Sequence, residues 1–102
     1  MQINVKIKNM SAPREWNDKQ TGELRKAVTI LAEEISNEQY KDSFTIECYD
    51  KNADALIDNF KNGDTIKITV NFHVQARTYT DKDGKDRVFE TQRITGYNPQ
   101  KL

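Results

Sequence analysis

Apolar and polar residues alternate with a period of two along several stretches of this chain, which is the pattern of strands that bury one face. The longest stretch runs from Ile66 to Ala76, where every second residue is apolar and the residues between are polar. Shorter alternations occupy residues 3–8 and 43–50. These stretches predict strands over a small core, with Phe44 and Phe72 on the buried side.

Two further strands are predicted beside these three. Residues 23–34 fit both a helix and a strand, because their apolar residues recur at helical spacing while their β-branched residues cluster. We interpret them as a strand, since this agrees with the order of the neighbouring elements. Residues 87–97 are predicted to return from a hairpin whose tip is residues 81–86, with Asp83-Gly84 at the turn.

One short helix and three connections complete the chain. Residues 52–60 predict the helix, with Asn52 as its N-cap and Phe60 on the apolar stripe that faces the core. The connections are a loop at residues 9–22 around Trp16, a polar segment at residues 35–42 that carries Tyr40, and a short disordered tail from about residue 98.

The order of these elements is strand, loop, strand, strand, helix, long strand, hairpin and strand. Five antiparallel strands with a helix between the third and the fourth match the connectivity of an OB-fold. No segment between the second and third strands is long enough for the crossover that a parallel pair needs. We therefore predict an all-β chain with one short helix, folded as a five-stranded antiparallel OB-fold barrel in a single domain across residues 1–102.

The composition predicts a soluble protein without a cofactor. The longest apolar runs are far shorter than the roughly 20 residues that span a bilayer, and residues 1–6 lack the apolar segment of a signal peptide. Because Cys48 and His73 are the single cysteine and the single histidine, an intrachain disulfide and a zinc site of these residue types alone are excluded. We expect a cytoplasmic protein with no membrane, metal or cofactor.

The net charge is zero, but the charges are unevenly distributed along the chain. Residues 1–64 hold 9 Lys/Arg against 12 Asp/Glu, whereas residues 65–102 hold 7 against 4. The C-terminal part is therefore basic and can present one face to a phosphate backbone.

The C-terminal half carries the residues of a family resemblance. Lys61-Asn62-Gly63 precedes the long strand, and residues 79–87 give an aromatic residue, Thr-Asp, a glycine-centred tip and a charged residue that opens the last strand. Residues 44–51 end in Tyr49, a turn residue and a lysine. Over residues 43–97 the chain resembles bacterial and phage-type single-stranded-DNA-binding proteins (SSBs). The resemblance implies an OB-fold that binds single-stranded DNA in a bacterial cell or a phage-infected host.

Binding of a single strand without sequence preference requires aromatic rings, on which stacking is worth about 1–3 kcal/mol per base. Tyr49 lies opposite the apolar side of its strand and Tyr79 lies on the polar side of the long strand, so both are expected to be exposed. Both also match positions that stack bases in the SSB family. Trp16 in the first loop and Phe89 on the last strand each have two interpretations, a contact to bases or packing against the barrel.

Cations must accompany these rings, and arginine can both pair with phosphate and stack on a base. The candidates are Arg77, Arg87 and Arg93 on the last hairpin, with Arg25 and Lys26 on the second strand. Glu47 shares the predicted face with Tyr49, and its charge opposes tight phosphate contact there.

These residues favour non-sequence-specific binding of single-stranded DNA, in replication or recombination, over catalysis. His73 is alone on a polar strand face, the aspartates of residues 81–86 lack the flanking helices of a calcium loop, and no phosphate-cradling glycine loop is present. We therefore expect no enzyme and no metal site. Two alternatives stay open, an OB-like module that binds a protein partner and one that binds single-stranded RNA. The sequence also leaves open whether the chain forms a homo-oligomer.

Overall fold

The structure, a computed structural model, describes residues 1–35, 39 and 41–102, with the backbone alone for Gln75, Phe89 and Glu90. Tyr40, on the predicted polar connection, lies outside the described residues. No helix in the described part combines the length and the apolar character that crossing a bilayer requires. The elements are β1 (Gln2–Met10), β2 (Arg14–Asn17), β3 (Leu24–Glu34), β4 (Ser43–Tyr49), α1 (Lys51–Asn59), β5 (Thr65–Thr80) and β6 (Asp86–Lys101).

The strands form one sheet that closes into a ring of hydrogen bonds. Its order is β1-β5-β6-β4-β3-β2. β1 also pairs with residues 30–34 of β3, and β2 pairs with residues 24–27 on the same side of β3. All pairings are antiparallel except that of β4 with β6, which is parallel where Glu47 meets Thr95. The mostly β chain with one short helix is confirmed. The five antiparallel strands that we predicted are corrected to six in the described residues, with one parallel contact that closes the ring.

Two of the predicted connections are strands. Within the predicted loop, β2 pairs with the first residues of β3, where Trp16 stands opposite Arg25. The predicted disordered tail is the end of β6, whose Lys101 pairs with Ile66. Both segments are largely exposed, so they show no apolar alternation and periodicity does not detect them. The strand interpretation of residues 23–34 is confirmed by β3.

The helix α1 packs against β3, β4 and β6 and buries Ala53 and Leu56. It begins after Asp50, which takes the N-cap position without a side-chain capping bond. The prediction of Asn52 as the N-cap is therefore wrong. The Asn52 side-chain oxygen instead accepts a hydrogen bond from the backbone N–H of Asn98 at 2.9 Å, which ties the helix to β6.

The core lies inside the ring and is aliphatic. Its members are Val5, Ile7, Val28, Ile30, Ala32, Ile46, Cys48, Ala53, Leu56, Ile66, Ile68 and Val70. Phe44 and Phe60 pack against this core while remaining half-buried, as we predicted. Phe72 is 58% exposed, so its predicted place in the core is wrong.

Phe72 is exposed because β5 and β6 extend beyond the ring. From residue 71 onward β5 pairs only with β6, and β6 meets β4 only at Thr95. We call this two-stranded extension, residues 71–93, the arm. It raises the Cα radius of gyration to 16.6 Å, against about 13 Å for a compact chain of this length.

Gly96 lies where β6 passes closest to the core. A Cβ atom there would stand 2.6 Å from Cδ1 of Ile68, 2.7 Å from Cγ2 of Ile46 and 2.9 Å from Sγ of Cys48. Side chains do not tolerate such distances, so a glycine is required for space. Because the neighbouring Thr95 makes the contact with Glu47, this close approach also closes the ring.

Replacing Gly96 should therefore overpack the core. Gly96→Ala is expected to lower the free energy of unfolding by about 1–3 kcal/mol. Ile68→Val removes Cδ1, the nearest atom, so the double variant should lose less stability than the two single variants together. Urea unfolding followed by circular dichroism measures all four proteins. Strict additivity would contradict a clash between these two residues.

The core also controls the chemistry of the single cysteine. Burial raises the pKa of the Cys48 thiol from its ordinary 9.0 to about 12. Since the thiolate is the reactive form, the folded protein should resist iodoacetamide near neutral pH, and the urea-unfolded protein should react. Because the folded-state pKa is the higher one, the unfolded state ionises first and stability should fall as the pH rises above 9.0. Mass spectrometry measures the alkylation, and equal rates for both states would contradict this burial.

Candidate nucleic-acid interface

One outer face of the sheet collects most of the predicted binding residues. Residues that stand directly opposite each other in antiparallel strands point to the same side. The parallel contact of Glu47 with Thr95 connects such pairs across β4 and β6. By this register and the period of two, the outer face contains Arg14, Trp16, Arg25, Glu47, Tyr49, His73, Arg77, Tyr79, Arg87, Arg93 and Thr95.

Trp16, Arg25 and Tyr49 form a cluster at one end of this face. The indole and phenol rings meet edge to face, with their centroids 6.4 Å apart and their planes at 89°. The guanidinium carbon of Arg25 lies 5.9 Å from the indole centroid, within the range of a cation–π contact. Trp16 is 40% exposed, so part of its ring is open to a ligand. The structure thus brings together three residues that are distant in sequence.

Two carboxylates hold Arg25 in place. Its Nε donates to both carboxylate oxygens of Asp50, at 3.0 and 3.1 Å, and its Nη1 lies 3.6 Å from Asp18. Asp50 also accepts a hydrogen bond from the backbone N–H of Lys26 and donates its own N–H to the Lys26 carbonyl. These bonds stabilise a left-handed φ of 53° at Asp50, which a non-glycine residue adopts only at a cost. The position of the arginine and the turn into α1 are therefore fixed together.

Two depressions lie on the outer face, one on each side of Tyr49, and we call them together the groove. Toward the arm lies a depression of about 540 Å³, lined by Tyr49, Phe72, His73, Val74, Thr91, Arg93 and Thr95. Toward α1 lies a depression of about 510 Å³, lined by Arg25, Tyr49, Asp50, Lys51, Asn52, Thr95 and Tyr97. Because both include Tyr49 and Thr95, Tyr49 stands at the middle of the groove.

The Tyr49 hydroxyl donates a hydrogen bond to the carboxylate of Glu47. This bond and partial burial raise the pKa of Tyr49, while Arg93 and Arg14 act in the opposite direction. The phenol is therefore neutral at physiological pH, and its ring orientation is fixed by the bond. Arg93 and Arg14 also place positive charge near the Tyr49 hydroxyl, on the face where we expected Glu47 to oppose phosphate.

The arm extends the same face outward. Tyr79 is 51% exposed and stands opposite Arg87. Arg87 donates from Nε to Asp81 at 2.7 Å, and this hydrogen bond is the main cause of the lowered pKa of Asp81. Arg77 pairs in register with Phe89, whose side chain lies outside the described residues.

Lys26 is the one predicted cation that the structure directs elsewhere among the described side chains. It follows Arg25 on β3 and therefore points to the other side of the sheet. Its Nζ lies 2.6 Å from Oδ1 of Asp54 on α1, in an ion pair. This contact connects strand and helix and does not face the groove.

The sequence reasoning missed Arg14, Asp18, Asp50 and Tyr97. Arg14 lies two residues before Trp16, so a strand interpretation of that segment would have placed both on one face. Tyr97 alternates with Arg93 and Thr95 on β6 and was detectable by period two. No local pattern indicates the two aspartates, because their partner Arg25 is far from Asp50 in sequence.

Comparison with known proteins identifies a family. The family model described as a domain of unknown function, DUF3127, matches residues 2–97, and the chain belongs to this family. No curated protein matches the chain.

The carboxylate clamp on Arg25 makes the cluster sensitive to acid. The hydrogen bond with Arg25 lowers the pKa of Asp50 below its ordinary 3.8, and backbone N–H groups of Gln20 and Thr21 lower the pKa of Asp18. Because both pKa values are depressed on folding, their stabilisation is complete above 3.8 and is lost as the pH falls through the lower folded-state values. Trp16 emission should therefore stay constant from neutral pH down to this range and change below it.

Asp50→Asn tests this prediction, because asparagine has nearly the same shape as aspartate but carries no charge. The variant should shift Trp16 emission at neutral pH, whereas Asp58→Asn, on the exposed side of α1, should not. Circular dichroism at each pH separates local change from unfolding. Identical emission profiles for Asp50→Asn and the parent protein would contradict the clamp.

Proposed function

We propose that this protein is an OB-fold that binds single-stranded DNA without sequence specificity along the groove of the outer face. The observation that carries the proposal is the position of Trp16, Tyr49, Arg25 and Arg93 on one outer face, beside two depressions that share Tyr49. The arm extends this face with Tyr79.

The connectivity supports the fold assignment. With β2 set aside, the remaining five strands follow the order of an OB-fold, and α1 lies between the third and fourth of them. OB-folds bind ligands on the face of their second and third strands and through the loops after the first and fourth strands. Here these parts correspond to β3, β4, the segment that contains Trp16 and the tip of the arm.

The chemistry of the groove supports a single strand as the ligand. Exposed rings accept any base by stacking, and a duplex hides its bases from them. The groove combines the Tyr49 ring with the cations Arg25 and Arg93, which suits base stacking and phosphate contact together. A non-catalytic role in protecting single strands during replication or recombination follows from this chemistry.

Direct binding should be measurable with a labelled oligo-dT by fluorescence polarisation. The expected result is tight binding to the single strand, weak binding to a duplex of the same length, and quenching of Trp16 emission. Tyr49→Ala/Tyr79→Ala should weaken binding by about 2–6 kcal/mol, since each lost stack is worth about 1–3 kcal/mol. Circular dichroism verifies that the variant is folded. An absence of binding at low salt would refute the proposal, and oligo-U measured in parallel tests RNA.

The salt dependence should report which cations contact phosphate. Among the described side chains, Arg25 and Arg87 already form ion pairs with carboxylates, whereas Arg14, Arg77 and Arg93 form none. If these three arginines contact phosphates of a single strand, a plot of the logarithm of the binding constant against the logarithm of the salt concentration should have a slope of about −2. Arg93→Ala should reduce this slope by about 0.7. Lys61→Ala, an exposed cation outside the groove, is the control and should leave it unchanged.

A further inference from the structure

Asp50 places a negative charge at the edge of the groove, where electrostatics alone predicts that it opposes single-stranded DNA. Its side chain is 45% exposed and lines the depression toward α1 together with Tyr49 and Thr95. A phosphate at this place would meet a like charge, so removing such a carboxylate ordinarily strengthens the binding of nucleic acid. The contacts of Asp50 predict the opposite result.

Both carboxylate oxygens of Asp50 bind Arg25. The Arg25 Nε lies 3.0 Å from Oδ2 and 3.1 Å from Oδ1, and Oδ1 also accepts the backbone N–H of Lys26 at 3.3 Å. Asp18 adds a second carboxylate, whose Oδ2 lies 3.6 Å from Nη1 of the same guanidinium. Because Arg25 has two negative partners, its charge is already offset and does not attract a phosphate to this end of the groove.

The ion pair holds Arg25 in the position from which it contacts Trp16. The guanidinium carbon lies 5.9 Å from the indole centroid, and the indole in turn meets the Tyr49 ring edge to face at 6.4 Å. Trp16 lies on β2, an exposed edge strand that pairs with β3 alone in the described part of the chain. The orientation of an indole on such a strand depends on side-chain contacts of this kind.

An oriented ring is a better platform for a base than a mobile ring. Stacking requires the face of the indole in a fixed place, and a side chain that must be immobilised on binding costs conformational entropy. Contacts made before the ligand arrives remove this cost. Since the contacts lead from Asp50 through Arg25 to Trp16, the carboxylate controls the ring without touching the ligand.

We infer that Asp50 is a positioning residue for base stacking on Trp16, so that this carboxylate strengthens the binding of single-stranded DNA. This role rests on the proposed function and deepens it, because it divides the cations of the outer face into two kinds. Arg25 supports a ring, whereas Arg93, for which the described side chains supply no carboxylate partner, contacts phosphate. The strand therefore places a base at the α1 end of the groove and its phosphates toward the arm.

Asp50→Asn, titrated with labelled oligo-dT by fluorescence polarisation, gives the first test. The variant should bind about two- to tenfold more weakly than the parent protein, the factor by which ordering one side chain changes an affinity. Asp81→Asn is the matched control, because Asp81 also pairs with an arginine, at 2.7 Å on the arm, and it should not weaken binding. Equal or tighter binding by Asp50→Asn, or equal weakening by the two variants, would overturn the inference.

The Trp16→Ala background separates positioning from a general loss of stability. Without the indole, Asp50 has no ring to orient, so adding Asp50→Asn should no longer weaken binding. Circular dichroism verifies that the single and double variants are folded. Weakening of the same size in both backgrounds would show that Asp50 acts through the fold, which contradicts a positioning role.

Arg25→Gln gives a measurement that does not depend on the folding of Asp50→Asn. It should weaken binding of oligo-dT while the salt dependence stays that of the parent protein, in contrast to the decrease in slope of about 0.7 expected for Arg93→Ala. An equal decrease for Arg25→Gln would place Arg25 on a phosphate and overturn the inference. A parent protein that binds no oligo-dT refutes the proposed function and this role with it, whereas a parent that binds while its variants deviate as described refutes only the role of Asp50.

Discussion

The close approach of β6 to the core at Gly96 is the constraint on which the rest of the structure depends. Without a side chain at this position, β6 can lie against Ile46, Cys48 and Ile68, and its neighbour Thr95 can reach Glu47. This single parallel contact closes the ring, and it also joins the two halves of the groove on either side of Tyr49. A core requirement therefore determines the geometry of a surface. Any substitution that separates β4 from β6 should affect stability and the shape of the groove together.

The period-two alternation of the sequence predicts the strands and the side that each residue faces, but it does not predict tertiary contacts. Period two located the strands that line the core, and parity correctly placed Tyr49 and Tyr79 on partly exposed surface. The same rule misplaced Phe72, because alternation shows which side of a strand is apolar but not where the opposing layer ends. The segment β2 and the end of β6 lack alternation because they are mostly exposed, so only their partners on β3 and β5 reveal them as strands.

The cluster of Trp16, Arg25 and Tyr49 illustrates the limit of local reasoning more sharply. Trp16 and Arg25 were each predicted as candidates, but their mutual geometry arises from β2 pairing with β3 and from the carboxylate of Asp50. Asp50 is in turn held in a left-handed conformation at the junction of β4 and α1. Such an arrangement depends on three separate segments, and no window of sequence contains it. A strained backbone conformation such as that of Asp50 persists because several surrounding hydrogen bonds hold it in place.

The error at Phe72 carries more information than the correct predictions. Where a strand continues to alternate beyond the core, its apolar residues are exposed to water. An exposed apolar row of this kind marks an interaction site. On the arm the two faces differ in chemistry: one carries arginine and tyrosine residues, and the other carries the exposed Phe72 and Val74 with Gln92 in register between the strands.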